Sequence, residues 1–277
     1  MTEVNNKIAI LGGGNIGLSI ADGLTRSNTF KAEEITVTRR RIELLSGFLN
    51  KGFNIGSNNR LAVQLADIII IAVLPQQLDQ LLDEIKDEID EKRHIIISVV
   101  SGATIDQIKS KLAKNVPVVR AMPNTAIAIG ESMTCLSASG DVHDEVVAIA
   151  KKIFDSVGKT LVIEESLMVP ATALCACGIA FFLRAIRAAS QGGIEIGFHA
   201  EDALLMAAQT AKGAASLLVS AENHPEKEVD KVTTPMGCTI SGLNQMEHNG
   251  FSSALIKGIV TSAEKAAKLY SPKKDNK

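Results

Sequence analysis

The first part of the chain alternates short apolar runs with longer stretches in which apolar residues recur at helical spacing. Five runs are rich in β-branched residues, as expected of parallel strands buried on both faces, and they cover 7–11, 34–38, 67–73, 94–100 and 116–121. Helical patterns cover 15–26, 76–90, 105–112 and 143–158, and a last strand pattern covers 159–165. Strand–helix alternation at this spacing predicts βαβ units and a doubly wound sheet.

From about residue 166 the strand pattern stops. Long helical stretches rich in alanine and other small residues cover 173–193, 200–220 and 252–270. Small residues let helices approach closely, but they leave too few large side chains to fill a core within one chain. We therefore expect these helices to pack against another subunit. The predicted fold class is α/β, with an N-terminal Rossmann-type doubly wound sheet in residues 1–165 and an all-α dimerisation domain in 166–277.

Composition narrows the class of protein. The chain has 277 residues, 46% apolar and 22% charged, with a formal net charge of −2, one tyrosine and no tryptophan. This balance argues against a nucleic-acid or anionic-membrane surface. The four cysteines form no CxxC pair, which favours buried thiols in a reducing compartment over disulfides or zinc. The segment before the first strand is short and polar. The apolar run 167–183 contains Pro170 and Gly178. We expect no leader, a buried helix rather than a membrane span, and a cytoplasmic protein.

A glycine motif follows the first strand. Gly12, Gly14 and Gly17 form a G-x-G-x-x-G pattern between that strand and a helix. The first glycine allows the tight turn, the second lets the backbone approach a pyrophosphate, and the third lets the helix pack on the strand. The N–H groups at the helix start then bind phosphates. The predicted dinucleotide contacts in this segment are Leu11, Gly12, Gly13, Gly14, Asn15, Ile16 and Gly17.

The end of the second strand distinguishes the dinucleotides. NAD-binding domains usually carry an acid there, whereas this chain has Thr38 followed by Arg39, Arg40 and Arg41. Arginines suit a 2′-phosphate through charge-assisted hydrogen bonds, so NADPH is the expected cofactor, with NADH possible. A merely solvated basic helix start is the alternative, although cations are disfavoured at a helix N-terminus. At the end of the fourth strand, Ala72, Val73, Leu74 and Pro75 are expected beside the cofactor.

Several segments resemble those of a known family. They are GGGNIG, AVLPQ, SVVSGATI, VRAMPNTA and HPEKEVDKVTTPMGCTISGLNQMEHNGFSSALIKGI. Essentially from end to end, the chain resembles the pyrroline-5-carboxylate reductases. The resemblance implies a Rossmann domain followed by a helical dimerisation domain. It also implies reduction of the cyclic imine 1-pyrroline-5-carboxylate to L-proline by NADPH or NADH, the last step of proline biosynthesis, in a homodimer or a higher homo-oligomer.

The resemblance also implies a substrate site in the loop near residues 230–242. There the backbone amides around Met236, Gly237, Cys238 and Thr239 hold the substrate carboxylate, and the Thr239 hydroxyl, the implied catalytic group, contacts the ring nitrogen. A helix is expected to begin near Ile240. By the same resemblance Asn59 contacts the adenosine ribose, and Ala72 and Pro75 lie beside the nicotinamide half. No metal is implied.

Some positions depart from the family, and other functions stay open. Leu74 stands where the family usually has lysine, and Met236 replaces the first glycine of a Gly-Gly pair. A related NADP-dependent imine reductase is one alternative. A β-hydroxyacid dehydrogenase-like enzyme is another, but it would need a Lys-x-x-Asn setting, and Lys212 is followed by Gly-Ala-Ala. A non-enzymatic NADP sensor or scaffold would leave the carboxylate loop without a role. His199, His224 and His248 are expected to be surface or capping groups.

Overall fold

Within residues 7–140, 142–221 and 223–270, which the computed structural model describes, the strands form one eight-stranded sheet. They are β1 (Ile8–Leu11), β2 (Ile35–Thr38), β3 (Asn54–Gly56), β4 (Ile68–Ile71), β5 (Ile95–Ser98), β6 (Val118–Met122), β7 (Ser132–Ala138) and β8 (Gly158–Val162). Their spatial order is β3-β2-β1-β4-β5-β6-β7-β8. Neighbouring strands run parallel except β6 and β7. The predicted Rossmann-type sheet is confirmed.

The central strands of this sheet, such as β1 and β4, are buried on both faces. Successive side chains of a strand point to opposite faces, and helices cover each face. Ile8 and Ile10 of β1 belong to one apolar core, whereas Ala9 and Leu11 belong to a second core. Helices α1 (Asn15–Arg26) and α6 (Asp144–Asp155) supply the first core, and α3 (Asn59–Gln64), α4 (Leu78–Ile85) and α5 (Ile105–Leu112) supply the second. Burial on two faces explains the continuous isoleucine runs in the sequence.

The remaining helices of this part are short. They are α2 (Ser46–Leu49) and α7 (Met168–Ala171), with 3₁₀ turns at Ala32–Glu34, Ile42–Leu45, Pro75–Gln77, Lys86–Glu88, Thr125–Ile129 and Glu165–Leu167. The helix predicted over 76–90 is therefore divided, since 3₁₀ turns flank α4 on both sides. The helix predicted over 105–112 is confirmed. It begins with a capping box in which Thr104 and Gln107 each accept a backbone N–H of the other.

Two strands were missing from the sequence-based prediction. β3 is a short edge strand, and β7 is rich in serine and threonine rather than in branched apolar residues. β7 is nevertheless buried, and some of its polar side chains find partners: the hydroxyls of Ser132 and Thr134 lie 3.2 Å apart, and the Asn124 N–H donates to the Ser132 hydroxyl at 3.1 Å. The buried Ser137 hydroxyl has no hydrogen-bond partner among the described residues. β7 is antiparallel to β6 because only the turn at Thr125–Ile129 joins them, which is too short for a parallel crossover.

The second part of the chain is helical, as predicted. A π-helical segment, Thr172–Cys177, leads into α8 (Gly178–Glu195), followed by α9 (Ala200–Ala221), α10 (Pro225–Lys231), α11 (Cys238–His248) and α12 (Phe251–Ala266). By their contacts, the described residues divide into a sheet unit within 1–177 and 262–277 and a helical unit, 178–261. The contact boundary thus follows the π-helical segment, and the end of α12 belongs to the sheet unit.

The helical unit exposes much of its apolar surface. Two helical stretches, Glu165–Glu195 and Ala200–Ser220, are long and apolar enough to cross a membrane by length and composition alone, with 28% and 6% of their apolar windows buried. The expectation of a buried helix over 167–183 was wrong for most of that run. Met168 and Ala173 are buried in the sheet unit, but Phe182 and Leu183 are 61% and 60% exposed, because none of the described residues covers that face.

Candidate functional site

The turn between β1 and α1 requires glycine at two positions. Gly12 has a φ of +118°, and a Cβ there would lie 2.5 Å from the Ala72 carbonyl oxygen. A Cβ at Gly17 would lie 2.2 Å from the Gly12 carbonyl oxygen, so only glycine lets α1 approach the turn this closely. Gly14 is different, because no atom lies within 4 Å of a Cβ added there. The open space at Gly14 is what a close-approaching ligand needs.

The N-terminus of α1 is an anion-binding end. Gly14 is the N-cap residue and offers no side-chain cap, and the first turn of α1 carries no acidic residue. The first N–H groups of a helix have no intrahelical acceptor, and they carry a partial positive charge. The Gly12 and Gly13 N–H groups donate to the Thr38 carbonyl oxygen at 3.2 and 2.7 Å, which fixes the turn against the end of β2. This is the geometry for holding a pyrophosphate.

A cavity of about 670 Å³ opens at this turn. It lies at the carboxyl ends of β1, β2 and β4, where the strand order reverses direction around β1. In open α/β sheets that crevice is the place where ligands bind. The lining residues are Gly12, Gly13, Gly14, Asn15, Ile16, Thr38, Arg39, Arg40, Arg41, Ser57, Asn59, Ala72, Val73, Leu74, Pro75, Gln77, Gln80, Leu81, Glu84, Val99 and Ser101. Its size suits a large organic cofactor.

The arginines after β2 lie on the wall of this cavity. Arg39 donates from Nη1 to the Gly13 carbonyl oxygen at 2.8 Å, so its guanidinium group lies against the glycine turn. Arg40 donates from Nη2 to Oε1 of Gln80 at 3.1 Å, which joins the strand end to α4. Guanidinium groups in these positions can bind an anionic group that enters the cavity.

Asn59 is held from two sides within the same cavity. Its Oδ1 accepts the Thr38 hydroxyl at 2.6 Å, and its Nδ2 donates to the Glu84 carboxylate at 3.1 and 3.2 Å. Thr38 is 2% exposed, so this side of the cavity is anchored to the sheet. An amide oxygen has two acceptor lone pairs, and the Asn59 Oδ1 keeps one of them for a ligand.

Most predicted cofactor residues meet in this cavity. Leu11 and Gly17 do not line it, since Leu11 is fully buried in β1 and Gly17 packs beneath the turn. The sequence reasoning missed the contribution of α4 and its preceding turn, which present Gln77, Gln80, Leu81 and Glu84. These residues recur every three or four positions on one helical face, and that periodicity was the available signal.

Tyr270, which follows α12 and belongs to the sheet unit, contacts α4 of the same unit, a feature that the sequence did not reveal. The Tyr270 hydroxyl donates to Oδ1 of Asp79 on α4 at 2.6 Å, and burial, together with this carboxylate, raises the pKa of Tyr270 well above its usual range. Gly102 has a φ of +87°, and a Cβ there would lie 3.0 Å from the Tyr270 backbone nitrogen. The neighbouring residue, Ser101, lines the cavity.

The loop before α11 makes a tight turn. The Gly237 N–H donates to the Thr234 carbonyl oxygen at 2.9 Å, with Pro235 and Met236 between them. Met236 has a φ of +61° and a fully exposed side chain. A proline followed by a residue of positive φ is typical of a type II turn, in which glycine is the usual third residue. The turn therefore favours glycine at this position, and Met236 occupies it with a positive φ that residues with a side chain rarely adopt.

α11 begins at Cys238 rather than near Ile240 as predicted, because the turn places Gly237 as its N-cap. No side chain caps this helix end, so the N–H groups of Cys238, Thr239 and Ile240 are left for a ligand or water. Such an end binds carboxylates well. The predicted substrate residues therefore share one helix N-terminus, with the Thr239 hydroxyl among them.

The cofactor cavity belongs to the sheet unit and the loop before α11 belongs to the helical unit. In the part of the chain that the structure describes, no group of three or more His, Cys, Asp or Glu residues could hold a metal ion. His224 accepts the Glu226 N–H at Nδ1 as the N-cap of α10, which confirms the capping role expected for it.

Comparison with known proteins assigns the two parts of the chain to described families. Residues 7–102 match the family described as NADP oxidoreductase coenzyme F420-dependent, and residues 165–269 match the one described as pyrroline-5-carboxylate reductase dimerisation. Pyrroline-5-carboxylate reductase 1 of Dictyostelium discoideum is 56% identical over 288 residues, covering 100% of this chain and 52% of the relative. This chain thus spans about half the length of that relative.

Two further matches extend over nearly whole proteins. Pyrroline-5-carboxylate reductase 2 of Dictyostelium discoideum is 52% identical, covering 95% of this chain and 93% of the relative. A crystal structure of Plasmodium falciparum pyrroline carboxylate reductase with NADP bound superposes with a TM-score of 0.88 at 25% identity, covering 96% of this chain and 99% of that one. The similarity therefore includes both the sheet unit and the helical unit.

Proposed function

This chain belongs to the pyrroline-5-carboxylate reductase family, and on that premise we propose that it reduces 1-pyrroline-5-carboxylate to L-proline with NADPH. The observation that carries the proposal is the pairing of a glycine-turn cavity lined by arginines with an uncapped helix end that can hold a carboxylate. A dinucleotide-binding protein without a substrate would need only the cavity.

The residues of the cavity fit NADPH. The turn at Gly12, Gly13 and Gly14 and the start of α1 would hold the pyrophosphate, and Arg39 and Arg40 would hold the 2′-phosphate. Asn59 would contact the adenosine ribose with the remaining acceptor of its Oδ1. Ala72, Val73, Leu74 and Pro75 would line the nicotinamide half. Arg41, which also lines the cavity, adds a further positive charge.

The substrate is an amino-acid-like cyclic imine, and its carboxylate suits the N-terminus of α11. The N–H groups of Cys238, Thr239 and Ile240 would hold the carboxylate, since no side chain caps this helix end. The Thr239 hydroxyl oxygen would accept the N–H of the protonated imine. That contact would fix the orientation of the ring relative to α11.

Bound NADPH supplies the hydride. A protonated imine is already electrophilic at its ring carbon, so these residues act mainly by orienting the ring and excluding water. The hydrogen bond from the imine N–H to Thr239 becomes that of a secondary amine as the product forms. The contacts between α11 and the carboxylate stay unchanged during the reaction, so they hold the ring in one position throughout.

The assembly and location are part of the proposal. We infer that residues 1–165 bind the cofactor and that residues 166–277 provide the substrate loop and form a homodimer, alone or within a larger homo-oligomer. The exposed apolar helices of the helical unit support this assembly, since a second copy would cover them. With a formal net charge of −2, we propose a cytoplasmic enzyme without a membrane or nucleic-acid partner.

The direct experiment follows NADPH absorbance in the presence of 1-pyrroline-5-carboxylate and quantifies proline. We expect one proline for each NADPH oxidised. A panel with other cyclic imines, and with 3-hydroxy acids plus NADP, tests the related imine reductase and the β-hydroxyacid dehydrogenase. Turnover of one of those substrates, with no oxidation of NADPH in the presence of 1-pyrroline-5-carboxylate, would refute the proposed substrate.

A further inference from the structure

The cofactor cavity contains an acidic side chain that neither the glycine motif nor the arginines explain. Glu84, near the end of α4, lines the cavity together with Arg39, Arg40 and Arg41. Among the described residues, Glu84 forms no ion pair, and its carboxylate accepts hydrogen bonds from the Asn59 amide instead. Its charge therefore acts on whatever occupies the cavity.

The position of Glu84 is set by contacts to the adenosine end of the cavity. Asn59, which bonds to Glu84, also accepts the Thr38 hydroxyl at 2.6 Å, and Thr38 is the last residue of β2. In NAD-binding domains an acid at the end of the second strand accepts the ribose 2′-hydroxyl. This chain has no acid at the end of β2. Instead, Asn59 bonds both to Thr38 at that strand end and to Glu84 on α4, so the Glu84 carboxylate lies near the same place.

The arginines share this wall with Glu84. Arg40 donates to Gln80 of α4, and Gln80 and Glu84 are four residues apart on that helix. Side chains with this spacing lie on the same face of a helix, one turn apart. The 2′ position of the adenosine ribose would thus be close both to a guanidinium group and to a carboxylate.

We propose that Glu84 sets the preference of this chain between NADPH and NADH, an inference that rests on the proposed cofactor site. The carboxylate weakens the binding of a 2′-phosphate, which the arginines favour, because the two negative charges repel. Toward the 2′-hydroxyl of NADH, the carboxylate is a hydrogen-bond acceptor. The enzyme consequently keeps useful affinity for NADH, although arginines follow β2.

The sharpest test measures the adenosine half alone, so that hydride transfer plays no part. Dissociation constants for 2′,5′-ADP and for 5′-ADP are measured by calorimetry on the full chain and on Glu84→Gln. The amide oxygen of glutamine can still accept from Asn59 while the charge is lost. We expect Glu84→Gln to bind 2′,5′-ADP about 5-fold more tightly and 5′-ADP no more tightly than the unchanged chain, a size typical of one exposed charge interaction.

Two variants complete the test. Asp83→Asn makes the same charge change one residue earlier on α4, at a position that does not line the cavity, and we expect both affinities to stay within about 1.5-fold. Arg40→Ala should act in the opposite direction and weaken 2′,5′-ADP alone. Circular dichroism melting confirms that each variant is folded, and Glu84→Lys should enlarge the effect of Glu84→Gln.

The outcomes separate this inference from the proposed function. Equal changes for both fragments in Glu84→Gln, or a gain matched by Asp83→Asn, would overturn the role of Glu84 while leaving the cofactor site in place. Failure of the unchanged chain to bind either fragment would overturn the cofactor site and this inference with it. Tight fragment binding without proline formation would overturn only the proposed reaction.

Discussion

Large apolar side chains are buried in the sheet unit, whereas many in the helical unit are exposed. Ile8, Ile10 and Ile70 of the sheet unit are at most 1% exposed, whereas Ile196, Leu205 and Val219 of the helical unit are 78%, 70% and 65% exposed. Burying apolar surface stabilises a fold by about 25 cal/mol per Å². The sheet unit gains this stabilisation within one chain, whereas these side chains of the helical unit would gain it in the proposed dimer.

The difference also divides the chemistry between the units. The cofactor cavity depends on close backbone packing in the sheet unit, such as that at Gly12 and Gly17. The proposed substrate contacts depend on an uncapped helix end in the helical unit. Substitutions in one unit should therefore affect cofactor binding and folding, and substitutions in the other should affect assembly or substrate binding.

The largest effect is expected at the glycine turn. In Gly17→Ala the new methyl group would overlap the Gly12 carbonyl oxygen, and backbone atoms on both sides cannot give way. We expect the sheet unit to lose about 3 kcal/mol of unfolding free energy and NADPH binding to fall below detection in a fluorescence titration. Gly14→Ala is the matched control, since open space surrounds that position. It should weaken NADPH binding with an unfolding free energy within about 0.5 kcal/mol of the original. Equal losses of stability in the two variants would contradict this account.

A charge on the helical unit should come next in size. Leu205→Glu places a carboxylate on the apolar face that the proposed dimer covers, and burying it without a partner would cost several kcal/mol. We expect light scattering to show dissociation toward the monomer mass of 29.4 kDa. Leu49→Glu makes the same change at a 56% exposed leucine of α2 in the sheet unit, and the assembly should remain intact. If the Leu205→Glu variant keeps the mass of the assembled protein, this face is exposed to solvent and is not the dimer interface.

The Thr239 hydroxyl should have an intermediate effect that is confined to the substrate. Thr239→Val keeps the shape and β-branching but removes the hydrogen bond to the imine nitrogen. We expect kcat/KM for 1-pyrroline-5-carboxylate to fall on the order of 10–100-fold, which corresponds to ~1.4–2.8 kcal/mol at the transition state. NADPH affinity should not change, because the cofactor cavity belongs to the sheet unit. Unchanged turnover would show that the backbone alone binds the substrate.

The smallest effect concerns pH and the core of the sheet unit. His94 is 2% exposed, its Nδ1 accepts the Asp90 N–H at 3.0 Å, and burial, with the nearby Arg93, lowers its pKa. Because the pKa is lower in the folded state than in the unfolded one, the neutral form stabilises the fold above about pH 6.5. That contribution is lost as the pH falls from there through the lowered folded value.

The measurement compares unfolding free energies at pH 7.5 and 5.5 in the original chain and in His94→Gln. We expect the original chain to lose up to about 1.4 kcal/mol more on acidification than the variant, the limit for one proton over one pH unit. His143→Gln changes an exposed histidine in the same unit and should behave like the original chain. Parallel pH curves for all three proteins would show that His94 does not titrate in this range.

The sequence was most informative where local pattern and tertiary environment agree. Isoleucine runs predicted strands with two buried faces, and the glycine spacing predicted the turn before α1, because these features follow from backbone geometry. β7 was missed because its serines and threonines do not resemble the side chains of a buried strand. A partner such as the Asn124 N–H, which donates to the Ser132 hydroxyl, comes from outside the strand and reaches it only in the folded chain. Most cavity residues were predicted from the strand ends, but the contribution of α4 was not.

What the sequence determined by itself is the alternation of buried strands and helices in the sheet unit, the anion-binding turn and the family of the chain, because each depends on residues that are close together along the chain. The tertiary structure decided that Glu84, Asn59 and Thr38 form one network, that Tyr270 contacts Asp79, and that the helical unit leaves an apolar face uncovered. These contacts join residues that are far apart in sequence. Their strength depends on distance, direction and burial, which are fixed only when the elements pack.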